Sequence, residues 1–262
     1  MSIRIVQLSD LHLYQDRGGR LYGVPTWATF HAVLEQVRSQ QDDFDYLVLT
    51  GDLAQDEALE TYLMLREALG GWVERCRIIP GNHDNRPNLR KAFFELFPES
   101  DSALTFELLA GGWRIVGLDS HIPGEVNGRV DGEQIEWLRA QLRSDPGIPT
   151  LLFVHHPPLP INVAWLDELG LNEAAELIAL IETSPQVKIV CAGHVHQEFA
   201  GHIGAAAMYT TPSTCVQFGA HAEKTFDARM AGYRSFTLDD DGYHTEVCRL
   251  LENEGGAAGT GA

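Results

Sequence analysis

Cysteine, basic residues and long apolar runs are all scarce in this chain of 262 residues. The cysteines, Cys76, Cys191, Cys215 and Cys248, are widely spaced and form no C-x-x-C pair, so reduced and mostly buried thiols are expected rather than a disulfide framework. No apolar run approaches the roughly 20 residues that a membrane-spanning helix needs. Residues 3–8 are typical of a strand and not of a signal peptide. We therefore predict a cytoplasmic protein without a membrane anchor.

The shortage of basic residues makes the protein strongly acidic. It carries 19 Lys and Arg against 37 Asp and Glu, a formal net charge of −18. Such a surface argues against non-specific binding to a nucleic acid duplex or to an anionic membrane. It is compatible with a small anionic substrate if metal ions supply positive charge locally.

Apolar strand-like runs alternate with amphipathic helical stretches over the first 200 residues, which is typical of an α/β protein with parallel strands and crossover helices. The predicted strands cover 3–8, 46–50, 76–79, 113–118, 150–154 and 187–191. The predicted helices cover 26–39, 56–69, 87–97, 131–143 and 172–182.

Shorter runs follow residue 198, at 206–210, 233–238 and 243–250, and these predict antiparallel strands. Two packed sheets with helices outside would accommodate both halves of the chain in one domain, 1–252. The remaining residues, 253–262, are rich in Gly and Ala and are expected to be a disordered tail.

Polar motifs with metal-ligand side chains follow most of the predicted strands. They are Asp10-Leu11-His12, Gly51-Asp52, Gly81-Asn82-His83-Asp84, His155-His156 and Gly193-His194-Val195-His196. The carboxyl ends of parallel strands form the edge of a sheet where sites assemble. Nitrogen and oxygen donors without thiolate suit Fe, Mn or Zn. Each motif is weak alone, but five in this order predict a metal site.

This set of motifs resembles the signature of calcineurin-like metallophosphoesterases, over the chain from Ile5 to His196. Segments outside the motifs, Thr26-Trp27, 51–56, 155–168 and 211–218, are similar to the bacterial class III cyclic-AMP phosphodiesterases. The resemblance implies a four-layer αββα sandwich of two mixed sheets. It also implies an enzyme that hydrolyses 3′,5′-cyclic AMP to 5′-AMP by attack of a metal-bridging hydroxide.

The resemblance also assigns ligands to two metal ions, Fe paired with Fe, Mn or Zn. The first ion would be held by Asp10, His12, Asp52 and His196. The second would be held by Asp52, Asn82, His155 and His194. The substrate would be bound by His12, Asp52, Asn82, His83 and His196. Two divalent ions would bring a charge of +4, of which two carboxylates and a hydroxide remove three, so a net charge of about +1 would remain to attract a phosphodiester.

His83 has no metal to bind in this scheme. Because it follows the ligand Asn82, it could donate a hydrogen bond to the phosphate and a proton to the departing O3′. Asp84 could fix the tautomer of His83 or could cap a turn, and the sequence leaves both roles open. Trp27 and Trp165 are candidates for stacking on a purine, with core packing as the favoured alternative. His156 could line the mouth of the site or support a ligand.

Three other functions have to be weighed against a cyclic-nucleotide phosphodiesterase. Hydrolysis of glycerophosphodiesters or 2′,3′-cyclic nucleotides would need the same metal chemistry and is the main alternative. A protein phosphatase of this family would carry G-N-H-E, where this chain has Asp84, and an Arg soon after Gly51-Asp52. A non-catalytic scaffold would lack ligands, whereas every ligand position here is filled. The oligomeric state stays open.

Overall fold

A computed structural model describes residues 2–41, 44–97, 103–220 and 223–251. The proposed tail, 253–262, lies outside these residues. The strands in chain order are β1 Ile3–Leu8, β2 Arg20–Leu21, β3 Val24–Pro25, β4 Tyr46–Leu49, β5 Cys76–Ile78, β6 Phe106–Ala110, β7 Trp113–Leu118, β8 Thr150–Val154, β9 Val187–Ala192, β10 Phe199–Ile203, β11 Ala206–Thr210, β12 Gln217–Phe218, β13 Phe226–Asp227, β14 Gly232–Asp239 and β15 Gly242–Arg249. The helices are α1 Thr26–Gln41, α2 Leu59–Leu69, α3 Arg86–Ala92, α4 Gly132–Ser144, α5 Ala164–Asp167 and α6 Ala175–Glu182, with a 3₁₀ helix at Gly70–Arg75.

The first large sheet has the strand order β15-β14-β1-β4-β5. Its three earliest strands, β1, β4 and β5, are parallel, and Ile5 lies opposite Tyr46. The hairpin of β14 and β15 joins through an antiparallel pairing of β14 with β1. The predicted antiparallel arrangement of the last two strands is therefore confirmed.

The second large sheet has the order β10-β11-β9-β8-β7-β6. Its interior strands β7, β8, β9 and β11 are parallel, and an antiparallel strand closes each edge. Antiparallel pairing was expected for β11, but β11 pairs in parallel with β9 and is antiparallel only to β10. The edge strands β6 and β10 were missed, because an edge strand is specified by one neighbour and carries a weak apolar pattern.

Alternating side chains of the strands give the molecule four layers. Ile5 and Val48 of the first sheet and Phe153 and Ile189 of the second lie in one apolar cluster between the sheets. Leu8 points the other way, into a cluster shared with helices α1, α2 and α3. Helices α4 and α6 cover the outer face of the second sheet. The predicted αββα sandwich is confirmed.

Three predicted helices have different ends in the structure, and the one expected at 172–182 begins at Ala175. The helix expected at 56–69 begins at Leu59, because the Asp56 carboxylate accepts hydrogen bonds from the Ala58 amide at 3.2 Å and from Thr61 Oγ1 at 2.8 Å, which hold a turn instead. The helix expected at 87–97 ends at Ala92, after which the chain turns and buries Phe93 and Phe97. Among the described residues, no helix combines the length and the apolarity that crossing a membrane requires.

Phe236 gives a direct test of the inter-sheet core. Its ring is 1% exposed and meets Phe153 of the other sheet edge to face, with centroids 5.8 Å apart. We expect Phe236→Ala to lower the free energy of unfolding by about 3–5 kcal/mol, because a large buried side chain is lost and a cavity remains. Denaturant titration measures this. The matched change Phe94→Ala, at a residue 66% exposed, should cost less than about 1 kcal/mol; equal losses would contradict the four-layer packing.

Candidate metal centre

The motifs of the sequence meet where the carboxyl ends of strands from both sheets converge. Strands β1, β4 and β5 of the first sheet lead into the loops that carry Asp10, Asp52 and Asn82. Strands β8 and β9 of the second sheet lead into the loops with His155 and His194. Backbone hydrogen bonds tie the loops together, from the Asp10 amide to the Gly51 carbonyl at 2.9 Å and from the Gly193 amide to the His155 carbonyl at 3.0 Å.

Five of the proposed ligands have a left-handed backbone. Asp10, His12, Asp52, His194 and His196 have φ angles of 57°, 48°, 53°, 68° and 49°. Non-glycine residues rarely adopt this conformation, because each costs about 1–3 kcal/mol and persists only where the surrounding structure holds it. Such strain concentrates at functional sites, where it aims a side chain in a direction that regular backbone would not give.

Two glycines of the motifs are required by close packing against the ligands. A Cβ at Gly81 would lie 2.3 Å from Asp52 Oδ1, and a Cβ at Gly193 would lie 2.0 Å from Ser9 Oγ and 2.9 Å from Asp10 Oδ2. No side chain fits at these distances. The glycines of G-N-H-D and G-H-x-H therefore allow two loops to approach the carboxylates of Asp10 and Asp52.

The first group of candidate ligands consists of Asp10, His12, Asp52 and His196. All four are buried, and their ligand atoms lie within 4.8 Å of one another. His12 Nε2 lies 3.0 Å from His196 Nε2 and 3.7 Å from Asp52 Oδ2, and His196 Nε2 lies 3.4 Å from Asp10 Oδ1. The structure thus brings together the four residues that the resemblance assigns to one ion.

The second group surrounds Asn82. Asn82 Oδ1 lies 2.9 Å from His194 Nδ1 and 3.3 Å from His155 Nε2. His155 Nε2 is also 3.5 Å from Asp52 Oδ1. Asp52 therefore directs one carboxylate oxygen towards each group, and the seven proposed ligands form one continuous cluster.

Hydrogen bonds behind the cluster fix the tautomers of three histidines. His155 Nδ1 donates to the Thr50 carbonyl at 2.7 Å and His196 Nδ1 donates to the Val216 carbonyl at 2.8 Å, since a carbonyl can only accept. His12 Nδ1 pairs in the same way with Gln55 Oε1 at 2.7 Å. In the neutral form of each ring the lone pair is then on Nε2, which is directed into the cluster. Support of this kind is typical of metal-binding histidines.

The electrostatics of the cluster fit a divalent cation. Burial lowers the pKa of His12 to about 4 and that of His194 to about 3, so both rings are neutral and able to bind metal. Burial also acts to lower the pKa of His155, but the Asp52 carboxylate outweighs it and raises the pKa to about 9. Nε2 of His12 and Nε2 of His196 lie 3.0 Å apart, and His194 Nε2 is buried without a hydrogen-bond partner among the described residues. A cation bound at these nitrogens would take up the lone pairs that the neutral rings direct into the cluster.

His83 and Asp84 have different surroundings although they are neighbours. The His83 amide donates to Asp52 Oδ1 at 2.8 Å, and its ring pairs through Nδ1 with Gln55 Nε2 at 3.0 Å. The Asp84 carboxylate is buried and accepts from the amides of Leu53 at 3.0 Å and Gly81 at 2.8 Å, and from the Tyr62 hydroxyl at 3.0 Å.

These contacts favour the turn-capping role of Asp84 over the alternative in which Asp84 holds the His83 ring. Burial, with a smaller effect of Asp52, raises the pKa of Asp84 to about 7. The side chain that contacts the His83 ring is that of Gln55, and not that of Asp84. In the sequence, Gln55 was noted only as part of the segment 51–56, because a sequence motif does not predict which histidines a glutamine side chain contacts.

A cavity of about 270 Å³ opens above the cluster. Its floor includes His12, Asp52, Asn82, His83, His194 and His196. The rest of its wall combines the aromatic residues Tyr22, Trp165 and Phe218 with Lys224 and with the aliphatic residues Leu21, Val126, Leu166 and Leu169. The Phe218 ring stacks on His196, with centroids 4.2 Å apart and an interplanar angle of 12°. The wall is thus joined directly to the candidate metal ligands.

Of the other residues that the sequence suggested for the site, one lines the cavity and two are buried in the core. Trp165 lines the cavity, whereas Trp27 is 3% exposed and donates from Nε1 to the Tyr14 carbonyl at 2.7 Å. His156 is buried and uses both ring nitrogens, with Ser120 Oγ 2.7 Å from Nδ1 and the Val126 carbonyl 3.0 Å from Nε2. His156 therefore supports the loop beside His155 and has no free nitrogen for an ion.

Residues 3–198 match the calcineurin-like phosphoesterases, and the chain belongs to this family. Curated relatives extend the likeness over nearly the whole chain. The 3′,5′-cyclic adenosine monophosphate phosphodiesterase CpdA of Escherichia coli (strain K12) is 38% identical over 252 residues, which covers 95% of this chain and 90% of that protein. CpdA of Pseudomonas aeruginosa is 36% identical over 92% of this chain and 87% of its own length. A 3′,5′-cyclic-nucleotide phosphodiesterase of Nostoc sp. (strain PCC 7120) is 32% identical over 94% of this chain and 91% of its own length.

Solved structures agree with this fold. A dimetal phosphatase from Danio rerio superposes with a TM-score of 0.67, covering 95% of this chain and 99% of that chain. The sequence identity is only 16%, so this likeness concerns the fold alone. The fold and the paired ligand groups together define a dinuclear metal centre.

The different positions of Asp52 and Asn82 can be tested by counting bound metal. We expect Asp52→Ala to lose both ions or to bind fewer than one per chain, because its carboxylate faces both ligand groups. Asn82→Ala should bind about one ion fewer than the wild type, since the amide faces only the second group. Elemental analysis after loading with Mn²⁺ and desalting measures both.

Asp16→Ala, at an exposed aspartate, is the matched control and should keep two ions per chain. Two ions per chain in Asp52→Ala would contradict the shared position of this carboxylate.

Proposed function

We propose that this protein is a metal-dependent phosphodiesterase that hydrolyses 3′,5′-cyclic AMP to 5′-AMP. The observation that carries the proposal is the position of Asp52, between two ligand groups on the floor of a cavity of about 270 Å³. Relatives over almost the full chain are phosphodiesterases of 3′,5′-cyclic nucleotides, which favours this substrate among phosphodiesters.

The residues present fit two metal ions. Asp10, His12, Asp52 and His196 would hold one, and Asp52, Asn82, His155 and His194 would hold the other. The donor set of oxygen and nitrogen atoms favours Fe paired with Fe, Mn or Zn. Two bound cations would draw the anionic phosphodiester into an acidic protein and would lower the pKa of a water molecule, so that it can act as a nucleophile near neutral pH.

The side chains of the floor would bind and orient the phosphate. His12, Asp52, Asn82, His83 and His196 border the cavity, so a phosphate at the ligand cluster lies within their reach. His83 is the member of this set that neither ligand group uses. We assign it to the leaving O3′, to which it supplies a hydrogen bond or a proton as the P–O3′ bond breaks. The phosphate then remains on the 5′ oxygen.

The aromatic wall would receive the base. Trp165 and Phe218 meet edge to face with centroids 5.2 Å apart, and Lys224 Nζ lies 4.5 Å from the centroid of Tyr22. A purine can stack on such rings, and the ammonium group can donate to a ring nitrogen of the base. Glycerophosphodiesters carry no planar base to stack on these rings, so the wall favours a nucleotide over that alternative.

The thiols support the expected compartment. Cys76, Cys191, Cys215 and Cys248 are free in the structure, and the first three are buried. A protein that forms no disulfide fits the reducing cytoplasm. We propose that compartment for this enzyme.

A comparison of substrates tests the proposal. Protein loaded with Fe²⁺ or Mn²⁺ should hydrolyse cyclic AMP with a kcat/KM at least about tenfold above those for 2′,3′-cyclic AMP and for a glycerophosphodiester, because only the first presents both a 3′,5′ ring and a base in the required relation. Chromatography should show 5′-AMP as the product. Chelator-treated protein should be inactive and should recover with metal.

Formation of 3′-AMP, or a faster turnover of the glycerophosphodiester, would reject the proposed substrate. Full activity in protein shown to be metal-free would reject the mechanism.

Two leaving groups test the role of His83. Ribose O3′ is a poor leaving group that needs a donor, whereas nitrophenolate leaves readily without one. We expect His83→Ala to keep both metals and to lose about 10²–10⁴-fold in kcat/KM on cyclic AMP. The loss on bis(p-nitrophenyl) phosphate should be much smaller.

The control His202→Ala, at an exposed histidine, should leave both activities unchanged. Equal losses on the two substrates in His83→Ala would count against a role at the leaving oxygen.

A further inference from the structure

One side chain joins a candidate metal ligand to His83. Gln55 lies between two imidazoles, with its Oε1 2.7 Å from His12 Nδ1 and its Nε2 3.0 Å from His83 Nδ1. The two rings meet nearly edge to face, with centroids 5.3 Å apart. The backbone N–H of Gln55 donates to the Leu13 carbonyl at 2.8 Å, which fixes the backbone from which the Gln55 side chain extends.

The chemistry of an amide restricts how Gln55 can serve both rings. A glutamine side chain has an oxygen that accepts and a nitrogen that donates. Between two ring nitrogens it can therefore satisfy one that carries a proton and one that carries a lone pair. If both ring nitrogens carried protons, one N–H would face the amino group of Gln55. If both were bare, one lone pair would face the oxygen of Gln55, and either arrangement leaves a partly buried polar group without a partner.

The tautomer of His12 determines which ring contacts the oxygen of the Gln55 side chain and which contacts the nitrogen. Its Nε2 faces the cluster, 3.0 Å from His196 Nε2 and 3.7 Å from Asp52 Oδ2. This step rests on the proposed function, in which Nε2 of His12 is a metal ligand and must carry a lone pair. The proton of His12 is then on Nδ1, and it is donated to Gln55 Oε1. The Gln55 amino group is left to face His83.

We propose that Gln55 is a positioning residue that fixes the tautomer of His83. Because the Gln55 amino group donates to Nδ1 of His83, that nitrogen carries the lone pair and Nε2 carries the proton. His83 therefore presents an N–H to the cavity that it borders, and acts on the leaving oxygen as a hydrogen-bond donor. The side-chain amide of Gln55 thus links metal binding by His12 to the tautomer of His83.

Histidine ring spectra of the zinc-loaded protein test this inference without reference to activity. Long-range proton–nitrogen correlation distinguishes a protonated ring nitrogen from a bare one, and the signals of His83 are those that disappear in His83→Ala. We expect a bare Nδ1 and a protonated Nε2 in the wild type. In Gln55→Glu, which keeps the shape but can only accept, Nδ1 of His83 should become protonated. Gln40→Glu makes the same charge change at an exposed site on α1 and should leave the His83 signals unchanged.

A kinetic comparison adds an independent test. Gln55→Met removes both hydrogen bonds, and we expect it to lower kcat/KM on cyclic AMP by about tenfold or more while bis(p-nitrophenyl) phosphate loses much less. The first metal site should bind more weakly because His12 loses its partner, so the assay is run with excess zinc at which two ions per chain are counted. If Gln55→Met does not fold, Gln55→Glu carries the test through its spectrum.

The outcomes separate this inference from the proposed function. A protonated Nδ1 on His83 in an active, zinc-loaded wild type would overturn the role of Gln55 and leave the function standing. An unchanged His83 spectrum in Gln55→Glu would overturn it as well. Absence of metal binding or of phosphodiester hydrolysis in the wild type, tested with Fe²⁺, Mn²⁺ and Zn²⁺, would instead overturn the proposed function.

Discussion

Two imidazole nitrogens face each other at the centre of this protein, and the rest of the site follows from that arrangement. Nε2 of His12 and Nε2 of His196 are 3.0 Å apart, and each ring uses its other nitrogen to donate, to Gln55 and to the Val216 carbonyl. Neither ring can turn its proton inward without losing that bond. In the neutral tautomers that these bonds select, both Nε2 atoms carry lone pairs, and a cation close to both nitrogens would bind them. The carboxylates of Asp10 and Asp52 increase the demand for a cation.

The fold holds these groups in place against their own repulsion. The ligand loops leave the ends of strands from two different sheets, so that rigid elements on both sides fix their origins. Several ligands have a left-handed backbone, and the loops approach each other at distances that only glycine allows, as at Gly81 beside Asp52. This local cost is offset by the apolar core between the sheets, where Phe153 and Ile189 of one sheet pack against Ile5 of the other.

The sequence predicted those features that depend on local pattern. The order of strand and motif located Asp10, Asp52 and His155 at strand ends, because apolar runs define strands and polar residues follow where the strands stop. Features that depend on distant partners could not be predicted in this way. Gln55 meets His83 across 28 positions of chain, and Asp84 meets the Leu53 amide across 31. The left-handed backbone at the ligands could not be predicted from the sequence, because Asp and His adopt this conformation far less readily than Gly.

Anomalous diffraction from crystals of the Mn²⁺-loaded protein tests the central claim most directly, because it locates ions without reference to activity. The account predicts two peaks with Asp52 between them. One peak should lie among Asp10, His12 and His196, and the other among Asn82, His155 and His194. A single peak would contradict the account, and so would a second ion bound by His156, whose two ring nitrogens are already used by Ser120 and the Val126 carbonyl.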